Sequence, residues 1–177
     1  MKNLPNILSV SRVLLVPVIA ALFYIPGCPG WVIGIVFSLG AVTDFLDGKI
    51  ARRKGLVTDF GKFVDPVADK LLVLSTMIML VHAGQVPAWF TVLVLARELA
   101  VDGLRMVAVS KGKVIPAGWS GKIKTFSQMT MIHFLLYLGW TVSSNWFITA
   151  GTVWVGLITL WSGVEYFLDN RDILRAP

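Results

Sequence analysis

Residues 43–70 read TDFLDGKIARRKGLVTDFGKFVDPVADK and lie between two segments apolar enough to cross a bilayer. Asp44 and Asp47 are three residues apart, and Asp65 and Asp69 are four apart. On a helix, either spacing places both members of a pair on one face. Four nearby carboxylates repel one another, and each costs about 2.5–3.5 kcal/mol or more within hydrocarbon. Hard carboxylate oxygens suit Mg²⁺, Mn²⁺ or Ca²⁺. The stretch therefore predicts a two-metal site for phosphoryl transfer at a membrane surface.

The composition predicts a helical membrane protein. Of the 177 residues, 56% are apolar, and the mean hydropathy of +0.76 is too high for an ordinary soluble domain. Five long apolar segments and a sixth near the N-terminus account for most of this value. Backbone polar groups in lipid must be satisfied within their own segment, so helices are expected. We predict an all-α, polytopic fold of six transmembrane helices with an amphipathic N-terminal start, in which residues 1–177 form one membrane-embedded domain.

The basic residues are distributed unevenly along the chain, whose net charge is +6. The predicted turns at residues 25–30, 83–87 and 140–145 contain no Lys or Arg. All 16 basic residues lie in the termini, the other loops or the adjoining helix ends. This asymmetry follows the positive-inside rule and places both termini and the four aspartates at the cytoplasmic side. It favours anionic lipid headgroups, rather than nucleic acid, as the partner of the basic surface.

A polar stripe on the first apolar segment has two possible interpretations. Asn6, Ser9 and Arg12 follow each other at intervals of three residues. The stripe either lies at the membrane interface, where the arginine reaches the headgroups, or faces the active site and contacts a charged substrate.

The start of the third apolar segment is also open. Asp65 followed by Pro66 fits an N-cap with proline at the first helical position. The same pair fits a helix that starts one turn earlier.

The aspartates belong to a longer motif, D-x2-D-G-x2-A-R-x8-G-x3-D-x3-D, which is present without a gap. Its positions are Asp44, Asp47, Gly48, Ala51, Arg52, Gly61, Asp65 and Asp69. The motif resembles the signature of the CDP-alcohol phosphatidyltransferase family. The resemblance implies that family's fold, two divalent ions (Mg²⁺ or Mn²⁺), and displacement of CMP from a CDP-linked donor. It implies that Asp44, Asp47 and Asp65 are the main metal ligands, and that Asp69 adds to the metal shell and acts as general base.

The resemblance also implies a site for CDP-diacylglycerol. Small residues allow a nucleotide to approach a helix backbone closely, and an arginine provides a planar donor for phosphate. The implied contacts are Asn6, Ser9, Arg12, Asp47, Gly48, Ala51, Arg52, Thr58 and Gly61. The alternative for the small residues is close packing between helices.

Two motifs in the second half concern the acceptor. They are RE-x5-GLR, from Arg97 to Arg105, and GKIKT-x2-Q, from Gly121 to Gln128. Both resemble the bacterial branch of the family that uses sn-glycerol 3-phosphate. A phosphorylated acceptor needs cations, and the implied ligands are Arg97, Arg105, Lys122 and Lys124. In the alternative interpretation, Arg97 pairs with Glu98 or Asp102, the lysines anchor a helix end, and Arg105 reaches the headgroups. Asp102 departs from the small or hydroxyl residue usual before GLR, and its role stays open.

The resemblance as a whole implies an enzyme of the bacterial inner (cell) membrane that forms a homodimer. It would transfer a phosphatidyl group from CDP-diacylglycerol to sn-glycerol 3-phosphate, which yields phosphatidylglycerophosphate and CMP. Alternative acceptors are phosphatidylglycerol, as in a cardiolipin synthase, and inositol phosphate. A remote alternative is a divalent-cation transporter, because intramembrane carboxylates can line ion paths. However, all four aspartates are predicted at one end, where they form a site and not a path.

Overall fold

A computed structural model describes the backbone of residues 4–54, 59–116, 118–139 and 145–174. Side chains are described for residues 10–43, 67–116, 118–139 and 146–173. Within these ranges the chain is helical and contains no strand. The prediction of an all-α protein is therefore confirmed.

Each predicted apolar segment corresponds to one helix. The helices are α1 Leu4–Tyr24, α2 Gly30–Lys54, α3 Asp59–His82, α4 Ala88–Ser110, α5 Trp119–Phe134, α6 Asn145–Asp169 and the short α7 Arg171–Leu174. A π-helical turn, Leu135–Gly139, directly follows α5. Because α3 begins at Asp59, position 66 lies inside the helix. Of the two possible starts for this helix, the earlier one is observed.

One helix in the described part of the chain is long and apolar enough to cross a membrane. It is α6, over the range Trp146–Asp169. Two shorter apolar stretches lie in α1 and α2, at Val10–Tyr24 and Gly30–Thr43. Charged residues lower the hydropathy of α4, in which two carboxylates lie between Arg97 and Arg105 in the sequence. Six transmembrane helices therefore stay a prediction.

The chain divides into two compact units. The first contains residues 1–85 and 133–143, and the second contains residues 86–132 and 144–177. In the first unit, α1 packs against both α2 and α3, and α2 also contacts α3 and the π-helical turn. The helices that carry the two aspartate pairs are thus neighbours within one unit. A single domain over residues 1–177 stays a prediction.

A glycine allows the close approach of α2 and the π-helical turn. A Cβ atom at Gly34 would lie 2.7 Å from the nearest carbon of the Tyr137 ring. The contact includes polar groups, because the Ser38 hydroxyl donates to the Gly34 carbonyl at 2.7 Å and lies 3.2 Å from the Tyr137 hydroxyl. His133 Nε2 lies 3.1 Å from the same Ser38 oxygen. These contacts join two parts of the first unit that are distant in sequence.

In the second unit, α4 and α6 run side by side in the same direction. Trp89 lies against Gly156, where a Cβ atom would be 3.5 Å from its ring. Further along both helices, Arg97 lies against Gly163 and Arg105 contacts Tyr166. The ends of α4 and α6 share a buried cluster with α7, formed by Val101, Leu104, Ala108, Tyr166 and Ile173. Side chains on one face of α6 therefore contact α4 at successive turns.

The approach at Gly34 predicts a stability effect. Gly34→Ala places a methyl group against the Tyr137 ring, and overpacking of this kind costs about 1–3 kcal/mol. We expect a lower melting temperature for the variant in detergent, measured by intrinsic fluorescence. Gly151→Ala is the matched control, because no atom lies within 4 Å of its Cβ position. Adding Tyr137→Leu should recover stability in Gly34→Ala, and no recovery would contradict this explanation.

Candidate active site

The predicted metal ligands lie on two helices of the first unit. Positions 44 and 47 are in α2, and positions 65 and 69 are in α3. Since both segments are helical, each pair occupies one helix face. The side chains of Asp44, Asp47 and Asp65 lie outside the described residues, and Asp69 is half-buried. Among described side chains, no three His, Cys, Asp or Glu residues are grouped as metal ligands would be. Two carboxylate pairs on contacting helices are a donor set that suits hard divalent ions.

Most of the predicted CDP-diacylglycerol contacts also lie outside the described side chains. Their backbone belongs to α1, to the last turns of α2 and to the start of α3. Thr58 lies outside the described residues altogether. The others without a described side chain are Asn6, Ser9, Asp47, Gly48, Ala51, Arg52 and Gly61.

Arg12 belongs to the same predicted set, and its burial bears on the two interpretations of the N-terminal stripe. The residue is 0% exposed. It therefore does not extend into a headgroup layer, as the interfacial interpretation requires. The helix that carries it packs against α2 and α3, which carry the signature. A buried guanidinium needs anionic or hydrogen-bonding partners, so the burial of Arg12 does not fit the interfacial interpretation, and its contact with a charged substrate stays a prediction.

In the second unit, one carboxylate pairs with two of the predicted acceptor ligands. Glu98 Oε1 accepts hydrogen bonds from Lys124 Nζ and, at 3.4 Å, from Arg97 Nη1. The side chains of Lys124 and Glu98 are 5% and 14% exposed. Arg97 Nη2 also donates to Ser162 Oγ at 2.6 Å. The pairing of Arg97 with Glu98 is the one expected in the alternative interpretation.

The other two predicted acceptor ligands lack an acidic partner within the described part of the chain. Arg105 Nε donates to the Tyr166 hydroxyl at 3.0 Å, and its guanidinium carbon lies 5.5 Å from the centroid of the Tyr166 ring. Lys122 is exposed, with Nζ 4.6 Å from the centroid of the Trp119 ring. Hydroxyl and aromatic contacts leave the positive charge uncompensated. Arg105 and Lys122 are therefore better placed to attract an anion than Arg97 and Lys124.

Sequence reasoning missed the contribution of α6. Ser162 and Tyr166 hold the two arginines of α4, but neither residue belongs to a sequence motif of the donor or acceptor site. A signal was present, because both carry a hydroxyl group, are four residues apart, and lie on a mostly apolar helix. Such spacing identifies a polar helix face and does not identify its partner.

The different surroundings of Lys122 and Lys124 predict that substitution of only one of them lowers stability. Lys124→Met removes one partner of a buried ion pair, which costs about 3–5 kcal/mol, whereas Lys122→Met changes an exposed side chain. We expect a clear drop in melting temperature for Lys124→Met and little change for Lys122→Met. Adding Glu98→Gln to Lys124→Met should recover part of the loss. Equal melting temperatures for the two single variants would contradict the buried pairing.

Comparison with known proteins agrees with these motifs. A model of the CDP-alcohol phosphatidyltransferase family matches residues 2–161. A CDP-diacylglycerol–glycerol-3-phosphate 3-phosphatidyltransferase of Bacillus subtilis is 37% identical, with 99% of each chain covered. A probable phosphatidylglycerophosphate synthase of Mycobacterium tuberculosis is 42% identical over 97% of this chain and 83% of its own. A Rickettsia typhi protein with the first of these names is 44% identical over 77% of each chain. The chain therefore belongs to the CDP-alcohol phosphatidyltransferase family, and it is a transferase.

Proposed function

We propose that the protein transfers the phosphatidyl group of CDP-diacylglycerol to sn-glycerol 3-phosphate. The products are phosphatidylglycerophosphate and CMP. The observation that carries the proposal is the similarity over nearly the whole chain to relatives that bear the name of this reaction. The signature and the two cations without an acidic partner among the described residues, Arg105 and Lys122, are consistent with it. A phosphate on the acceptor provides the anion that such cations attract.

In the proposed chemistry, Asp44, Asp47 and Asp65 would hold two divalent ions, Mg²⁺ or Mn²⁺, and Asp69 would add to the shell. Bound there, such ions would supply positive charge that offsets the charge of the pyrophosphate during in-line displacement. The acceptor hydroxyl oxygen forms a bond to the phosphorus of the phosphatidyl group. The bond from that phosphorus to the CMP oxygen breaks, and CMP leaves. Asp69, as general base, takes the proton of the attacking hydroxyl.

The donor and the acceptor are proposed to bind different sets of residues. CDP-diacylglycerol contacts the set inferred from the signature and the N-terminal stripe. Burial of Arg12 supports its part in this set, because the pyrophosphate would neutralise a guanidinium held away from water. The phosphate of the acceptor binds Arg105 and Lys122. Arg97 and Lys124 belong to the predicted acceptor set, but both pair with Glu98, so we assign the phosphate chiefly to Arg105 and Lys122.

We also propose a membrane arrangement and an assembly. The protein would span the bacterial inner membrane with six transmembrane helices, and its termini and active site would be cytoplasmic. It would form a single domain and assemble as a homodimer. The apolar length of α6 supports membrane insertion. Exposed tryptophans at the predicted outer ends of three helices fit an interfacial aromatic belt; they are Trp31, Trp89 and Trp146.

The reaction predicts an acceptor-dependent release of CMP. Purified protein with CDP-diacylglycerol and Mg²⁺ or Mn²⁺ should release CMP with glycerol 3-phosphate. It should release far less with phosphatidylglycerol, inositol phosphate or serine. EDTA should abolish the release, and added Mg²⁺ or Mn²⁺ should restore it. Release only with another acceptor would contradict the proposed specificity, and no release with any acceptor would contradict the proposed reaction.

The role of Asp69 predicts a selective loss of turnover. Asp69→Asn removes the proton acceptor but keeps the size of the side chain, so kcat should fall by about 10²–10⁴. Binding of CDP-diacylglycerol, measured by calorimetry in detergent with Mg²⁺, should be retained in part. Asp169→Asn is the matched control, because it makes the same change at an exposed aspartate outside the signature and should leave kcat unchanged. Turnover of Asp69→Asn close to that of the unmodified protein would remove Asp69 from the role of base.

A further inference from the structure

Two hydroxyl groups of α6 contact the two arginines of α4. The Ser162 hydroxyl accepts a hydrogen bond from Arg97, and the Tyr166 hydroxyl accepts one from Arg105. The hydroxyl-bearing residues are four apart and share one face of α6, and the arginines are about two turns apart on α4. This face of α6 therefore determines where both guanidinium groups lie.

The contact with Tyr166 leaves the anion-binding edge of Arg105 available. Tyr166 engages Nε, at 3.0 Å, and its ring lies beside the guanidinium. In the described part of the chain this is the one hydrogen bond of Arg105, so Nη1 and Nη2 retain donors for another acceptor. A guanidinium binds phosphate through two parallel hydrogen bonds when its plane is correctly oriented.

Tyr166 is itself held firmly. It is 7% exposed and packs in the buried cluster with Val101, Leu104, Ala108 and Ile173. The main chain at Ile173 is held in turn, because Lys111 Nζ donates to its carbonyl oxygen at 2.8 Å. A side chain that is packed on several sides has little freedom to move with the arginine. The hydroxyl of Tyr166 is therefore a fixed acceptor for Arg105.

We propose that Tyr166 is a positioning residue for the acceptor substrate. It holds the guanidinium of Arg105 so that both Nη groups meet the phosphate of the acceptor. The benefit is preorganisation, since a free arginine loses conformational entropy when it binds a ligand. This inference rests on the proposed function, in which Arg105 binds that phosphate. Tyr166 lies outside residues 2–161, the part of the chain matched by the family model.

The conservative variant Tyr166→Phe separates positioning from packing. It keeps the ring in the buried cluster and removes the hydroxyl that accepts from Arg105. We expect the KM for glycerol 3-phosphate to rise about fivefold or more, in line with the loss of a hydrogen bond to a charged group. The KM for CDP-diacylglycerol and kcat should stay within about twofold of the values of the unmodified protein. The melting temperature should stay within a few degrees. Tyr137→Phe, in the first unit, is the matched control and should leave the KM for glycerol 3-phosphate unchanged.

A double-mutant cycle tests whether Tyr166 acts through Arg105. Arg105→Ala should raise the KM for glycerol 3-phosphate about tenfold or more, which corresponds to about 1.4 kcal/mol of binding. In the Arg105→Ala background, Tyr166→Phe should then have no further effect. Inorganic phosphate can be used as a competitive inhibitor. Its inhibition constant should rise in each single variant by about the same factor as the KM for glycerol 3-phosphate.

The outcomes distinguish the inference from the proposed function. A raised KM in Arg105→Ala with an unchanged KM in Tyr166→Phe would overturn the positioning role and leave the function intact. Effects that add in the double variant would also overturn it, because Tyr166 would then act independently of Arg105. An unchanged KM in both single variants would overturn the role of Arg105 and the inference with it. Absence of CMP release by the unmodified protein would instead overturn the proposed function.

Discussion

Ionisable side chains on apolar helices must have partners, and this constraint organises the second unit. Helix α4 carries four ionisable residues within nine positions, namely Arg97, Glu98, Asp102 and Arg105. Exposure of all four to hydrocarbon would have a large free-energy cost. The structure meets it with partners from two other helices. Lys124 of α5 pairs with Glu98, and hydroxyls of α6 accept hydrogen bonds from the two arginines. Electrostatics thus explains why three helices of different composition contact one another at these positions.

The same contacts distinguish cations that pair with a carboxylate from cations that have no acidic partner in the described part of the chain. Lys122 and Lys124 are two residues apart and belong to one motif, yet one is exposed beside Trp119 and the other is buried beside Glu98. A buried cation with a carboxylate partner has little charge left to offer, whereas a cation held by a hydroxyl or a ring keeps its charge. Arg12 differs from both lysines. It is completely buried, on a helix that packs against α2 and α3, and it therefore lies in the protein interior.

The helical framework was predictable because its signals are local. Continuous apolar segments, charge-free turns and polar helix ends predicted six helices, and each of the six apolar segments lies in a helix of the structure. The family was predictable as well, since the signature needs only residue types at fixed spacing. The start of α3 was not, because Asp65 and Pro66 are compatible with two helix starts, of which the structure shows the earlier one. The approach of Gly34 to Tyr137 was equally hidden, because the two residues are about a hundred positions apart.

By itself, the sequence determined that the chain is all-α and that it belongs to the CDP-alcohol phosphatidyltransferase family. Hydropathy, helical periodicity and motif spacing are properties of neighbouring residues, so they can be read directly along the chain. The tertiary structure alone decided that Lys124 pairs with Glu98, that Arg12 is buried, and that Tyr166 holds Arg105. Those outcomes depend on which helix faces meet, and the free energy that selects them comes from packing and charge pairing between distant segments.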